Sequence, residues 1–376
     1  MTAKGGGRRD LRLDVARGLA LFFIFIDHIP ENRFSAVTMQ ALGFFDAAEA
    51  FIFLSGYTAA LVYGRSLKRD GMLVMSARVY RRVWTLYVAH LFLFVVLSAI
   101  VSYVIESFGS PVYAEESRVG DFLSEPHIAL VRALTLEFQP TFLDILPLYI
   151  VLLAVFPLIL ALLDRSPWAA LIPSLALYGV VHAFDVRFHG YPEGNPWFFN
   201  PLAWQLLFVI GAAAGLSRVK GQSLVEEAKW LIVPAIALAV VALAIDLSWT
   251  VHRFVDRVPA LLADQIWPIN KTDLSPYRLV NFLAVAFVAA WLVRPDAPWL
   301  ASPWMRPVAL AGKFSLHVFC FGIILSLVGH FVLVEISRSL LVQAAVTVTG
   351  IAAMIGLASL LAWYARVVEA KEAGAG

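Results

Sequence analysis

Ten apolar segments of roughly membrane-spanning length constrain this chain more than any single residue does. They cover about 13–29, 41–63, 80–105, 141–163, 168–184, 197–216, 229–249, 277–294, 308–330 and 341–365. A helix needs about 20 apolar residues to cross hydrocarbon, whereas barrel strands are short and alternate in polarity. The runs therefore predict helices. Composition agrees: 60% of the residues are hydrophobic, 15% are charged, and the mean hydropathy is +0.78. A soluble chain of 376 residues needs far more polar surface. The predicted fold class is an all-α polytopic membrane protein, about ten transmembrane helices forming one bundle around a polar cavity. Residues 13–366 form its single membrane domain, and 1–12 and 367–376 are cytoplasmic tails. The fifth segment is the weakest, shortened by Pro173 and followed by His182 and Asp185. The longest gaps, near 106–140 and 250–276, are too short for an independent core. Trp249, Trp267 and Pro268 suit interfacial or re-entrant helices there.

Basic residues set the orientation. With the N-terminus and every second connection in the cytoplasm, that side holds 20 of the 29 lysines and arginines, and the other side holds 9. The positive-inside rule then places both termini in the cytoplasm. The opposite connections are richer in acid, as at Glu115, Glu116, Asp121 and Glu125. The basic, glycine-rich stretch Met1–Asp14 reads as a leader to the first span, not as a removed signal peptide. A net charge of +2 gives no reason to expect nucleic acid, and the single cysteine, Cys320, rules out an internal disulfide.

Arg17-Gly-Leu-Ala-Leu-Phe-Phe-Ile-Phe-Ile-Asp27-His28 is an uncharged run with an arginine before it and an acid–histidine pair after it. In a helix the rise from Arg17 to His28 is about 16 Å. Arg17 thus belongs near the cytoplasmic face, and Asp27 and His28 lie near the far one. Asp46 and Glu49, spaced i and i+3 on one helical face, open the second span on that same side, and Asp144 opens the fourth. Ionisable groups at such depth are costly and mark function. Imidazole suits general-base chemistry, because its pKa lies near neutrality. Neighbours on a helix point about 100° apart. Glu49 is therefore the leading carboxylate to orient His28, with Asp27 the alternative. The bland readings are a helix-end pair that caps backbone for Asp27 and His28, and an ion pair with Arg17 for Glu49.

Arg78, Arg81 and Arg82 start the third span. They are either a topological anchor or a phosphate clamp, since guanidinium groups bind phosphate through paired hydrogen bonds. Ser55-Gly56 reads as helix packing. Tyr149, a turn or more deeper than Asp144, is a weaker substrate contact. His317 reads as a satisfied core histidine. His182, His189 and His252 show no ligand spacing, so no metal site is expected. No Walker loop, Gly-x-Ser-x-Gly or His-Glu-x-x-His is present.

An arginine, ten residues and then a histidine ending the first span resembles the membrane acyltransferase family 3 signature. Arg12-Leu-Asp14-Val-Ala-Arg17-Gly18, the Asp27-His28 ending and Glu49-Ala-Phe-Ile-Phe-Leu-Ser55-Gly56-Tyr57 resemble its OpgC-type branch, named for succinyl transfer to osmoregulated periplasmic glucans. The patch from Arg78 to Arg82 and Gly312-Lys313-Phe314-Ser315-Leu316 are similar too. The likeness runs from about residue 10 to 365 and is strongest in the first 85 residues. It implies a ten-helix fold, a cytoplasmic acyl-CoA donor, with succinyl-CoA among the candidates, and an extracytoplasmic hydroxyl acceptor such as a glycan. The resulting expectation is an inner-membrane O-acyltransferase that needs no metal. His28 would act as base, Asp27 or Glu49 as its partner, and Arg78, Arg81, Arg82 and Arg17 on the donor side. Asp46, Asp144 and Tyr149 are then acceptor-side candidates. Two other classes compete: a proton-coupled secondary transporter or flippase, which predicts matched repeats, and a scaffold whose polar cluster only fixes packing. Oligomeric state, a homodimer included, stays open.

Overall fold

A computed structural model describes residues 10–108, 117–250 and 269–374. The leader up to residue 9, Glu115, Glu116, His252, Trp267 and Pro268 lie outside the described residues, as do the side chains of Trp249 and Lys371. The elements are helical, as the sequence predicts: α1 (Leu11–Asp27), α2 (Ala47–Phe108), α3 (Gly120–Ser124), α4 (Pro126–Leu134), α5 (Ile145–Arg165), α6 (Pro167–Phe184) and α7 (Pro201–Val219). There follow α8 (Leu224–Glu227), α9 (Ile232–Thr250), α10 (Pro276–Leu292), α11 (Met305–Lys313), α12 (Ser315–Glu335) and α13 (Leu340–Gly374). Hydrocarbon offers the backbone no hydrogen-bond partner, so an apolar segment satisfies its own amides as helix. Seven of the helices are long and apolar enough to cross a membrane by length and composition, and α10 is a shorter apolar one. The chain is a multi-pass membrane protein.

Local chemistry sets the helix ends. Asp10 caps α1 by accepting from the Arg12 amide at 3.1 Å. Asn200 caps α7 through the Leu202 amide at 3.2 Å, with Pro201 at the first helical position. Pro126 and Pro167 open α4 and α6 in the same way. Three boundaries differ from the sequence reading. The segments 41–63 and 80–105 fall on two arms of the single element α2, which bends at Gly71. There the backbone sits at φ 79 and ψ 175, a conformation open to glycine. The segment 308–330 is broken at Phe314 into α11 and α12. The connection near 106–140 carries the two short helices α3 and α4.

The helices group into two compact units. One takes in the described residues through Phe51, then Lys229–Thr250, then Leu283 onward; the other takes in Ile52–Ala228 and the described residues up to Phe282. In the first, α1 and α11 meet backbone to backbone. A Cβ on Gly18 would lie 2.0 Å from the Val308 carbonyl oxygen, and one on Gly312 would lie 1.9 Å from that of Asp14. Val15, Leu300 and Ala309 form a small buried cluster beside this contact. Further along α1, Phe25 fills the space over Gly350, where a Cβ would meet its ring at 2.1 Å. Ser326 of α12 reaches the Phe25 carbonyl at 3.0 Å.

The second unit repeats the device between the first arm of α2 and α7. Cβ atoms on Gly56, Gly211 and Gly215 would fall 2.1, 2.3 and 2.2 Å from the carbonyl oxygens of Phe208, Phe53 and Tyr57. Gly211-Ala-Ala-Ala-Gly215 is the small-xxx-small spacing that lets membrane helices touch. Gly56 is a packing residue, as its sequence context suggests. The glycines at α1–α11 are predicted to be intolerant of side chains. Gly18→Val or Gly312→Val should cost at least about 1–3 kcal/mol or abolish folding. Gly356→Ala, with open space around it, should be neutral or gain up to about 1 kcal/mol. Thermal unfolding of the three variants in detergent is the check.

Candidate functional site

Start from the end of α1. His28 is its C-cap, and the backbone N–H donates to the Ile24 carbonyl at 3.0 Å. The imidazole Nδ1 lies 2.6 Å from the same oxygen. A carbonyl oxygen only accepts, so Nδ1 carries a proton and donates it to this bond. Nδ1 is thus tied to the backbone of its own helix, and the ring is half-buried. Asp27 receives the Thr38 hydroxyl at 2.7 Å, with Thr38 itself buried. The segment beyond His28 is pinned to α13 by two bonds. Asn32 Nδ2 donates to Thr347 Oγ1 at 3.3 Å, and the Arg33 amide donates to Gln343 Oε1 at 2.9 Å.

Asp46 directly precedes α2 and Glu49 lies in its first turn, and the geometry gives the pair a capping role. Asp46 Oδ1 accepts from the Ala48 amide at 2.8 Å, and Glu49 Oε2 accepts from the Asp46 amide at 3.0 Å. That reciprocal pair is a capping box at the start of α2. Glu49 is fully buried. The sequence signal was present as an acid three residues before a glutamate, immediately ahead of an apolar run. Arg17 is half-buried on α1, and its Nε is buried.

In the second unit, Arg78 and Arg81 are exposed and Arg82 is half-buried. Arg78 donates to Ser66 at 2.7 Å and pairs with Asp70, which Arg69 also engages at 2.9 Å. One carboxylate therefore organises two guanidinium groups at the Gly71 bend, and Arg65, Lys68, Arg81 and Arg82 leave the bend strongly basic. Asp144 occupies the N-cap position of α5 and is half-buried. Tyr149 is buried. No group of three or more metal-ligating side chains occurs among the described residues.

One expectation is corrected. His317 is exposed. The buried stripe of α12 runs through Val318, Gly322 and Ser326 with Phe319, Ile323 and Leu327, and position 317 falls off it.

Two arrangements escaped the sequence. Asp273 is buried and accepts from Asn200 Nδ2 (2.9 Å), Arg187 Nη2 (2.8 Å) and Asn270 Nδ2 (2.9 Å). It thereby fixes the loop that carries Lys271, whose Nζ lies 5.5 Å from the Phe199 ring centre. A shallow pocket also forms between residues 118–139 and 190–198. Neither has a contiguous motif; both join residues more than fifty positions apart.

The capping box gives a direct test. Asp46→Ala should cost about 1 kcal/mol of stability, whereas Asp46→Asn or Asp46→Ser should keep most of it. Detergent melting curves of the three variants decide between a cap and a purely catalytic carboxylate.

No curated protein and no solved structure matches the chain significantly. The model of one family, described as OpgC protein, matches residues 9–366, nearly the whole length. The arginine–histidine span, the capped acidic start of α2 and the glycine contacts all lie inside that match. The chain belongs to the OpgC protein family, and with it to the acyltransferase-type membrane enzymes.

Proposed function

We propose that this chain is an integral membrane O-acyltransferase of the acyltransferase family 3 type. It would take an acyl group, succinyl among the candidates, from cytoplasmic acyl-CoA to a hydroxyl of an extracytoplasmic glycan. The observation that carries this reading is the Nδ1 bond from His28 to the Ile24 carbonyl. In this reading the imidazole is neutral in the resting enzyme, and Nε2 is then the nitrogen that serves as general base. His28 Nε2 takes the acceptor's hydroxyl proton while the oxygen attacks the thioester carbonyl. The C–S bond then breaks, and the imidazolium returns its proton to the CoA thiolate. The C-terminal end of α1 favours the positive ring between these steps, because the last carbonyls of a helix carry partial negative charge. Asp27 and Glu49 add negative charge on the same unit; in this reading they support the imidazolium, and Ile24 sets the tautomer.

The donor's phosphates are assigned to Arg78, Arg81 and Arg82. Asp70 holds Arg78 in place, and the surplus of basic side chains at the bend favours a polyanion. Arg17, at the other end of α1 from His28, belongs to the donor side. Asp46, Asp144 and Tyr149 are assigned to the acceptor side. The reading keeps the ten spans of the apolar segments, both termini in the cytoplasm from the distribution of lysine and arginine, and the inner membrane from the family resemblance.

His28→Ala should lower acyl transfer by about 10²–10⁴-fold. A purified variant that melts like the parent and still transfers at the parent rate would remove His28 from the mechanism. Replacing Arg78 and Arg81 with alanine should raise the KM for acyl-CoA by about tenfold or more, with a smaller change in kcat. An unchanged KM with poor membrane insertion would return both arginines to an anchoring role.

A further inference from the structure

The last helix, α13, meets the end of α1 along one stripe. Gln343, Thr347, Gly350 and Met354 are buried and recur at helical spacing. The contacts follow the chain of α1 in order. Phe25 fills the space over Gly350. Ile29 is buried beside Gly329 of α12, where a Cβ would lie 3.2 Å from Ile29 Cδ1 and 2.8 Å from Val346 Cγ1 of α13. Asn32 then donates to Thr347 at 3.3 Å, and the Arg33 amide donates to Gln343 at 2.9 Å. His28 lies inside this run, three residues after Phe25 and one before Ile29.

Two buried carboxamides carry the polar part of the contact. Gln343 uses both its ends: Oε1 accepts from the Arg33 amide, and Nε2 donates to the Arg338 carbonyl at 2.9 Å. Asn32 does the same, giving Nδ2 to Thr347 and accepting the Phe34 amide on Oδ1 at 3.2 Å. A donor at one end and an acceptor at the other fix which way each amide faces. Buried polar groups that are fully partnered rigidify their surroundings and specify one arrangement.

A second observation points the same way. Glu31, between His28 and the two amides, has its backbone in the left-handed region at φ 60. Glycine would take that conformation at less cost. The chain keeps a side chain there, and its carboxylate pairs at 2.5 Å with Arg338, the residue whose carbonyl holds Gln343. Non-glycine backbone in this region persists where its surroundings over-determine it, and such residues cluster at functional sites.

A shift of about 1 Å in a catalytic group can cost about a hundredfold in rate. We infer that Gln343 and Asn32 are positioning residues, which clamp the chain after His28 to α13 and so hold the imidazole in place for proton transfer. The part in the reaction rests on the acyltransferase reading above; the clamp does not.

The test uses the full-length protein in detergent. Gln343→Leu removes both bonds at nearly constant volume. Thr347→Val removes the acceptor for Asn32, and Thr347→Ser keeps it. Amide exchange of residues 29–38, followed by mass spectrometry, should speed up about tenfold in Gln343→Leu and by less in Thr347→Val. The kcat for acyl transfer, taken per folded molecule well below the melting temperature, should fall about ten- to a hundredfold in Gln343→Leu, with the KM for acyl-CoA within about twofold of the parent. Thr347→Ser should restore parent exchange and parent kcat. Unchanged exchange in Gln343→Leu would overturn the clamp. Faster exchange with the parent kcat, or a loss of activity accounted for by melting alone, would overturn the positioning role. A parent protein that transfers no acyl group would sink the enzyme reading instead, and the exchange contrast would still decide the clamp.

Discussion

The first unit depends on the direct backbone contact of α1 with α11. Lipid tails are as apolar as leucine, so helices in a membrane gain little from hiding apolar surface against each other. They hold by close packing and by hydrogen bonds. At Gly18 and Gly312 the helices approach so closely that even a methyl group has no room. About ten ångströms further along α1, Ser326 holds the Phe25 carbonyl and Gly350 receives the Phe25 ring. A helix tied at both ends has little freedom to tilt or slide. His28 follows Phe25 by less than one turn, so its ring inherits that rigidity. The glycines of the Arg17-Gly18 and Gly312-Lys313 motifs thus act on the imidazole without touching it.

Charge is used sparingly in this chain, and several carboxylates have structural work as well. Asp10 caps α1, Asp46 and Glu49 cap α2 reciprocally, and Asp273 closes a loop. Each satisfies backbone or side-chain donors that would otherwise be stranded at a helix end near lipid. The same economy operates at the Gly71 bend, where Asp70 joins Arg69 and Arg78. A residue of this kind resists a simple division into fold and function. Removing it loosens the element that presents the chemistry, and a drop in activity alone does not say which of the two was lost.

Helices were legible in the sequence because lipid leaves an apolar backbone few options, so hydropathy and conformation report the same thing. The bend at Gly71 was not, because the intervening residues 64–79 are polar enough to look like a loop yet remain good helix formers on either side of one glycine. Arg17 and His28 stood out because a charged residue bracketing an uncharged run is conspicuous. Asp46 and Glu49 were visible as a pair but hid their second role, since i and i+3 is the spacing both of a shared face and of a cap. His317 misled for a simpler reason: an apolar helix has no polar face from which to read its buried side. The pocket left no trace at all. It is assembled from Gln139 and Phe198, separated by a whole helical hairpin, and nothing local to either predicts the other.

The two ends of the second unit differ in a way that bears on how a reaction across a membrane is organised. One end is cationic and rich in guanidinium groups; the other combines aromatic rings with neutral and acidic hydrogen-bond acceptors. Helix α5 has 21 residues and therefore spans about 31 Å between these ends. Neither a nucleotide nor a hydrated sugar polymer can cross such a distance through hydrocarbon. Only a slender, weakly polar arm can, and of the two proposed substrates only the donor has one, in the pantetheine that carries the thioester. In the proposed reading, a donor held by charge on the cytoplasmic face and an acceptor kept on the other would each stay in its own aqueous phase. The acyl group is then the one part that has to change sides.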